Sequence, residues 1–129
     1  MGAWGPGTFE NDGALDWIGD LAEVKDGWSL IRSALKSAMT PGESDGQLVL
    51  AAAECVAVCR GKPPASPPPA DLSGWCARHK SGYSEELRVL ALKAVQHIRG
   101  DSELKDLWDE SGPEEWNDAV ADLERRLSS

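Results

Sequence analysis

The sequence predicts an all-α fold: a single-domain helical bundle of five to seven helices, with a proline-rich connector running over its surface. Three observations predict it. Apolar residues recur at helical spacing in one segment after another, Gly and Pro punctuate those segments, and no alternating stretch is long enough for a strand. At 129 residues the chain fits one domain, residues 1–129, with one core.

The opening segment, residues 1–10, holds Trp4 and Phe9 among glycines. Gly5-Pro6-Gly7 follows no strand, so it reads as a tight turn rather than a phosphate-cradling loop. The expectation is an ordered segment in which Trp4, Phe9 and Trp17 form one aromatic cluster. Asn11 and Asp12 supply capping oxygens to a first helix, whose Ala14, Trp17, Ile18 and Leu21 fall at i, i+3, i+4, i+7.

Gly27 is read as the break after that helix. Trp28, Ile31, Leu35 and Met39 form a second stripe, closed by Pro41-Gly42. Ser44 and Asp45 can cap a third helix from about Gln47 to Cys59, apolar nearly all round and therefore the most buried element. Its alanines permit close approach of neighbours. Glu54 stands in the middle of it and must be either exposed or paired. Gln47, Glu54 and Gly61 share one edge, so exposure is expected.

Residues 62–70 are the connector: five prolines between Pro63 and Pro69 favour extended polyproline II. A short helix from Asp71 to His79 carries Trp75, and Ser84-Glu85-Glu86 opens a longer one lined by Leu87, Leu90, Ala91, Ala94 and Ile98. Gly100 ends it, and Asp101 caps a segment with Leu104, Leu107 and Trp108. Pro113 suits the first turn of a last helix, where Trp116, Val120, Leu123 and Leu127 keep helical spacing. Arg125 and Arg126 lie in its last turn, complementing the helix dipole.

Net charge is −9 and unevenly spread. Residues 1–26 carry six acids and one base, residues 27–100 nine bases and six acids, and residues 101–129 ten acids and three bases. Acidic ends repel phosphate backbones, so no nucleic-acid partner is expected, whereas a basic protein partner is easy to accommodate. No apolar run reaches the length of a membrane span, and the N-terminus lacks a basic region followed by an apolar stretch. A cytoplasmic protein with no leader segment, no membrane contact and three reduced cysteines is the simplest reading.

The opening motif Met1-Gly2-Ala3-Trp4-Gly5, with Phe9, Asn11-Asp12, Ala14 and Asp16-Trp17, is distinctive. Together with Ser102-Glu103-Leu104, Leu107-Trp108, Trp116 and Leu123 through Leu127, it resembles the bacterial family catalogued as domain of unknown function 4259. The resemblance spans nearly the whole chain. It implies a small, helical, intracellular bacterial protein and brings no reaction, substrate or catalytic residue. Gly13 stands where the resembled family commonly carries a second acid, so the resemblance supports no role here that needs an acid pair at that place.

Two constellations bear on chemistry. Cys55 and Cys59, one helical turn apart, with Cys76 and His79 on the next helix, could complete tetrahedral zinc. Cysteines in an apolar helix more commonly act as small hydrophobes, so a reduced core is expected; zinc and a disulfide are the alternatives. Asp12, Asp16 and Asp20 form an i, i+4, i+8 stripe that could hold a divalent ion, meet a cation from elsewhere, or remain solvated. No catalytic triad or dinucleotide fingerprint is present, and no cofactor is expected.

The functional expectation is a non-enzymatic interaction or regulatory module, antitoxin-like or immunity-like, with metal binding as the alternative. Its candidate binding residues are Trp4, Phe9, Asp12, Asp16 and Trp17 near the start, and Glu114, Glu115 and Asp118 on the acidic C-terminal helices. Oligomeric state is not readable from the sequence.

Overall fold

A computed structural model describes residues 12–39, 46–62, 70–100, 103–111 and 113–128. They form seven α-helices: α1 (Asp12–Glu23), α2 (Gly27–Ser37), α3 (Gly46–Cys59), α4 (Ala70–His79), α5 (Glu85–Gly100), α6 (Glu103–Ser111) and α7 (Pro113–Ser128). A single 3-10 turn, Lys80–Gly82, joins α4 to α5. No strand occurs among the described residues, and the all-helical expectation holds. The proline-rich stretch, the opening turn with Trp4 and Phe9, and the caps at Asn11, Ser44, Asp45 and Asp101 lie outside the described residues.

The hub is α3. Ten of its residues, from Val49 to Cys59, are buried, and it touches each of the other six α-helices. A helix apolar on every side has no solvent face to keep, so it sits where it can be surrounded. Ala51, Ala52, Ala53 and Ala57 are fully buried and let those neighbours come close. Around it, α1 buries Ala14, Trp17, Ile18 and Leu21, and α5 buries Leu87, Ala91, Ala94, Val95 and Ile98. The α7 stripe of Trp116, Val120, Leu123 and Leu127 is buried as its spacing requires.

The second stripe is shorter than expected. Helix α2 ends at Ser37, the turn is closed by the Ala38 N–H donating to the Leu35 carbonyl and the Met39 N–H to the Lys36 carbonyl, and Met39 lies beyond the helix, 43% exposed. Gly27 is also not merely a breaker. It is the first residue of α2, buried, and a Cβ there would lie 2.8 Å from Trp75 Cε2 and 2.9 Å from Leu21 Cδ1. The carboxylate of Asp26 caps this helix, accepting from the Ser29 N–H at 3.1 Å and the Ser29 hydroxyl at 2.7 Å. Those bonds hold its pKa below the ordinary aspartate value, the hydroxyl donor first.

Glu54 overturns the expected polar edge. It is 1% exposed, and both its oxygens accept from the guanidinium of Arg126, the Nη2 bond being 3.0 Å. Arg126 Nε also donates to Asp122 at 2.8 Å, and its Nη1 to the Lys62 carbonyl at 3.1 Å. Burial alone would lower the Arg126 pKa; the carboxylates of Glu54 and Asp122 outweigh it and hold the pKa above its ordinary value. Arg126 thus turns inward across the bundle, rather than serving only the dipole of its own helix.

Two outcomes test this packing. Arg126→Ala or Glu54→Ala leaves a buried charge without its partner, and each lowers the unfolding free energy by about 3–5 kcal/mol in urea titrations. The double variant Glu54→Leu/Arg126→Met loses less than either single one, because no buried charge remains; additive losses exclude the pairing. Gly27→Ala costs about 1–3 kcal/mol by overpacking Trp75, whereas Gly19→Ala, with open space around its Cβ position, costs nothing in a thermal melt.

Candidate functional site

The described residues divide into inward groups already engaged and outward groups that are not. Inside, α3 and α4 bring the three cysteines together. Cys59 and Cys76 are joined as a disulfide with their Cα atoms 5.1 Å apart, correcting the expectation of three reduced thiols. The reason is geometric. Both lie on buried faces of helices packed against each other, where their Cα separation falls inside the range a disulfide spans. Cys55, one turn earlier, is the free cysteine, fully buried, and its backbone carbonyl lies 3.8 Å from Cys76 Sγ. Burial, reinforced by the adjacent Glu54 charge, pushes the Cys55 thiol well above its ordinary pKa.

His79 is engaged by Trp75. Its ring stacks on Trp75 at 4.6 Å with an 18° interplanar angle, and its Nδ1 lies 2.9 Å from the Trp75 carbonyl, a geometry in which Nδ1–H donates. Trp75 meets Trp28 at 5.1 Å, and Trp28 Nε1 donates to the His79 carbonyl at 2.8 Å. This aromatic set ties α2 to α4. With two of its sulfurs bonded to each other and its imidazole stacked, the Cys55, Cys59, Cys76 and His79 set is not assembled as a metal site. No group of three or more His, Cys, Asp or Glu side chains placed to hold a metal occurs among the described residues.

The remaining predicted residues separate by face. Trp17 is buried in the core at 6% exposure, so it serves packing. Asp16 and Asp20 stand exposed on the outer side of α1, while Trp4, Phe9 and the side chain of Asp12 lie outside the described residues. Glu114, Glu115 and Asp118 are exposed on α7, continuous along the chain with exposed Asp106, Asp109 and Glu110 on α6. Among the described residues Asp109 pairs with Lys105 at 2.6 Å, whereas Glu110, Glu114, Glu115 and Asp118 have no ion-pair partner. Glu114 and Glu115 occupy the first turn of α7, where the helix dipole favours them.

A second outward feature has no counterpart in the sequence reading. A groove of about 510 Å³ runs between α2 and α5, lined by Arg32, Lys36, Glu85, Glu86, Val89, Leu90 and Lys93. Its signal in the sequence was the excess of bases between residues 27 and 100, but nothing local says that three of them face one another across two helices. Among the described residues no helix is long and apolar enough to cross a membrane.

Residues 2–119 match the family model described as Domain of unknown function (DUF4259), and the chain belongs to that family. The match ends within α7, before Leu123, Arg126 and Leu127. No curated protein and no solved structure matches the chain significantly.

The cysteine arrangement predicts a labelling pattern. Under non-reducing conditions a thiol reagent modifies no cysteine in the native protein and one, Cys55, after unfolding; reduction raises the count to three. Reduction also lowers stability by about 3 kcal/mol, the closure entropy of a loop of this length. Two or more reactive thiols without reductant exclude the disulfide.

Proposed function

From membership in a family without assigned chemistry, we propose that this protein is a non-enzymatic interaction module of the regulatory kind, antitoxin-like or immunity-like, whose acidic α6–α7 face receives a basic protein partner. The observation that carries this reading is the division just described. Glu54, Cys59, Cys76 and His79 are committed to structural partners, while Glu110, Glu114, Glu115 and Asp118 stand outward without ion pairs among the described residues. Catalysis wants a perturbed, accessible group beside a cavity. Recognition of a basic surface wants unpaired, like-signed charges on one rigid face, which steer association and set its register.

The metal-binding alternative has less support, since no described cluster would hold an ion and two of its four Cys/His candidates are bonded to each other. A cytoplasmic location belongs to the same reading, and there a reducing interior would act on the Cys59–Cys76 bond.

Charge reversal on α7 tests the proposal. A partner captured from the native host by the wild type at low salt is lost, or weakened at least tenfold, by Glu114→Lys/Glu115→Lys/Asp118→Lys. Raising salt slows its association more than its dissociation, because screening removes steering and leaves short-range contacts. Equal capture by both proteins at both salts removes the acidic face from function.

A further inference from the structure

The α2–α5 groove gathers three of the chain's thirteen Lys and Arg residues on one side of a protein whose net charge is −9. Arg32 and Lys36 come from successive turns of α2, and Lys93 faces them from α5. None of the three forms an ion pair among the described residues. Of the two carboxylates in the lining, Glu85 is taken by Arg88. Val89, 37% exposed, and half-buried Leu90 give the groove an apolar strip between its charged rims. Apolar strip and unpaired cations together call for a ligand that presents an aliphatic side chain beside carboxylates.

The outer face of α1 has that composition. Leu15, 37% exposed, lies in one ridge with exposed Gly19 and Ala22 at i+4 and i+7. Asp16, Asp20 and Glu23 run alongside with the same spacing, all exposed and none in an ion pair among the described residues. Among the described residues nothing packs on the ridge at Gly19, where an added Cβ would meet nothing within 4 Å. Leu15 and Val89 are two of the four large hydrophobics the described residues leave exposed, one beside carboxylates and the other beside cations.

We propose that the α2–α5 groove is a self-association site whose occupant is the acidic face of α1 from a second copy of the chain. Leu15 packs on Val89 and Leu90, while Asp16, Asp20 and Glu23 meet Arg32, Lys36 and Lys93. Two different patches meet, so assembly is head-to-tail, or reciprocal where two copies exchange their α1 helices across a two-fold axis. The site is separate from the α6–α7 face and stands or falls without it.

Sedimentation of the full chain across a concentration series reads this out. The wild type exceeds its 13.8 kDa monomer mass as concentration rises. Lys36→Glu/Lys93→Glu and Asp16→Lys/Glu23→Lys each weaken association by about tenfold or more, and an equimolar mixture of the two regains it as a hetero-assembly, because the reversed charges match again. Gly19→Arg blocks the ridge at a position open among the described residues and also leaves a monomer. Glu114→Lys/Glu115→Lys/Asp118→Lys retains assembly, and helical circular dichroism confirms that each variant is folded. A wild type that stays monomeric up to about 1 mM, a mixture that fails to reassemble, or loss of assembly in the α7 variant but not the α1 variant overturns the proposal.

Discussion

The bundle is organised around a carboxylate in the wrong place for a carboxylate. Glu54 lies in the helix that every other α-helix touches, with alanines and a cysteine beside it and almost no exposed surface. An ion in such a position is tolerated only with a counter-ion in good geometry, and the two-pronged guanidinium of Arg126 supplies one. Hydrophobic stripes fix which face of a helix is buried but bind its axial position less sharply than a bidentate pair does. The pair therefore fixes the register of α7 on α3, while Leu123 and Leu127 on either side of Arg126 supply the burial.

The same end of the molecule resolves a second problem. The last carbonyls of any helix lack intrahelical donors. In α7 the Arg126 carbonyl accepts from Arg60, just past α3, and the Leu127 carbonyl accepts from Arg88 of α5 at 2.7 Å. Arg99 Nη1 of α5 adds an ion pair with Glu124 at 2.6 Å. Three arginines from outside the helix thus bind its C-terminal turns, where the dipole favours positive charge. On the opposite flank the links are covalent and aromatic: the disulfide and the Trp28–Trp75–His79 set hold α4 against α3 and α2. Close approach there depends on residues without side chains, since a Cβ on Gly82 would lie 2.9 Å from Trp28 Cγ.

How much of this was legible follows from the range of each interaction. Helices α3, α4, α5 and α7 are readable to within a residue or so, because periodicity, caps and Gly/Pro punctuation are local properties of the chain. The burial of Trp17, Trp75 and Trp116 follows from the same patterns. Glu54 is anomalous in the sequence as well, but the edge it shares with Gln47 and Gly61 points to exposure. Its partner lies 72 residues away, and nothing in the spacing distinguishes Arg126 from Arg125. The cysteines failed differently. A compartment sets which redox state persists, whereas the pairing of Cys59 with Cys76 depends on two helices meeting, a tertiary fact.

Charge shows the same division most clearly. Along the chain, the segment from 27 to 100 is simply the basic middle of an acidic protein. In the fold its cations part company. Arg60, Arg88 and Arg99 turn toward α7 and are consumed by its carbonyls and by Glu124, so they contribute stability and little outward field. Arg32, Lys36 and Lys93 turn toward the α2–α5 groove, where no described carboxylate pairs with them. The acids divide likewise: Glu54, Asp122 and Glu124 are paired within the bundle, while Asp16, Asp20 and Glu23 of α1, Asp106 and Glu110 of α6, and Glu114, Glu115 and Asp118 of α7 are left to solvent. Among the described residues the inward charges are matched, while cations stand in the α2–α5 groove and carboxylates on α1, α6 and α7; the proposed recognition rests on that separation of unpaired charge.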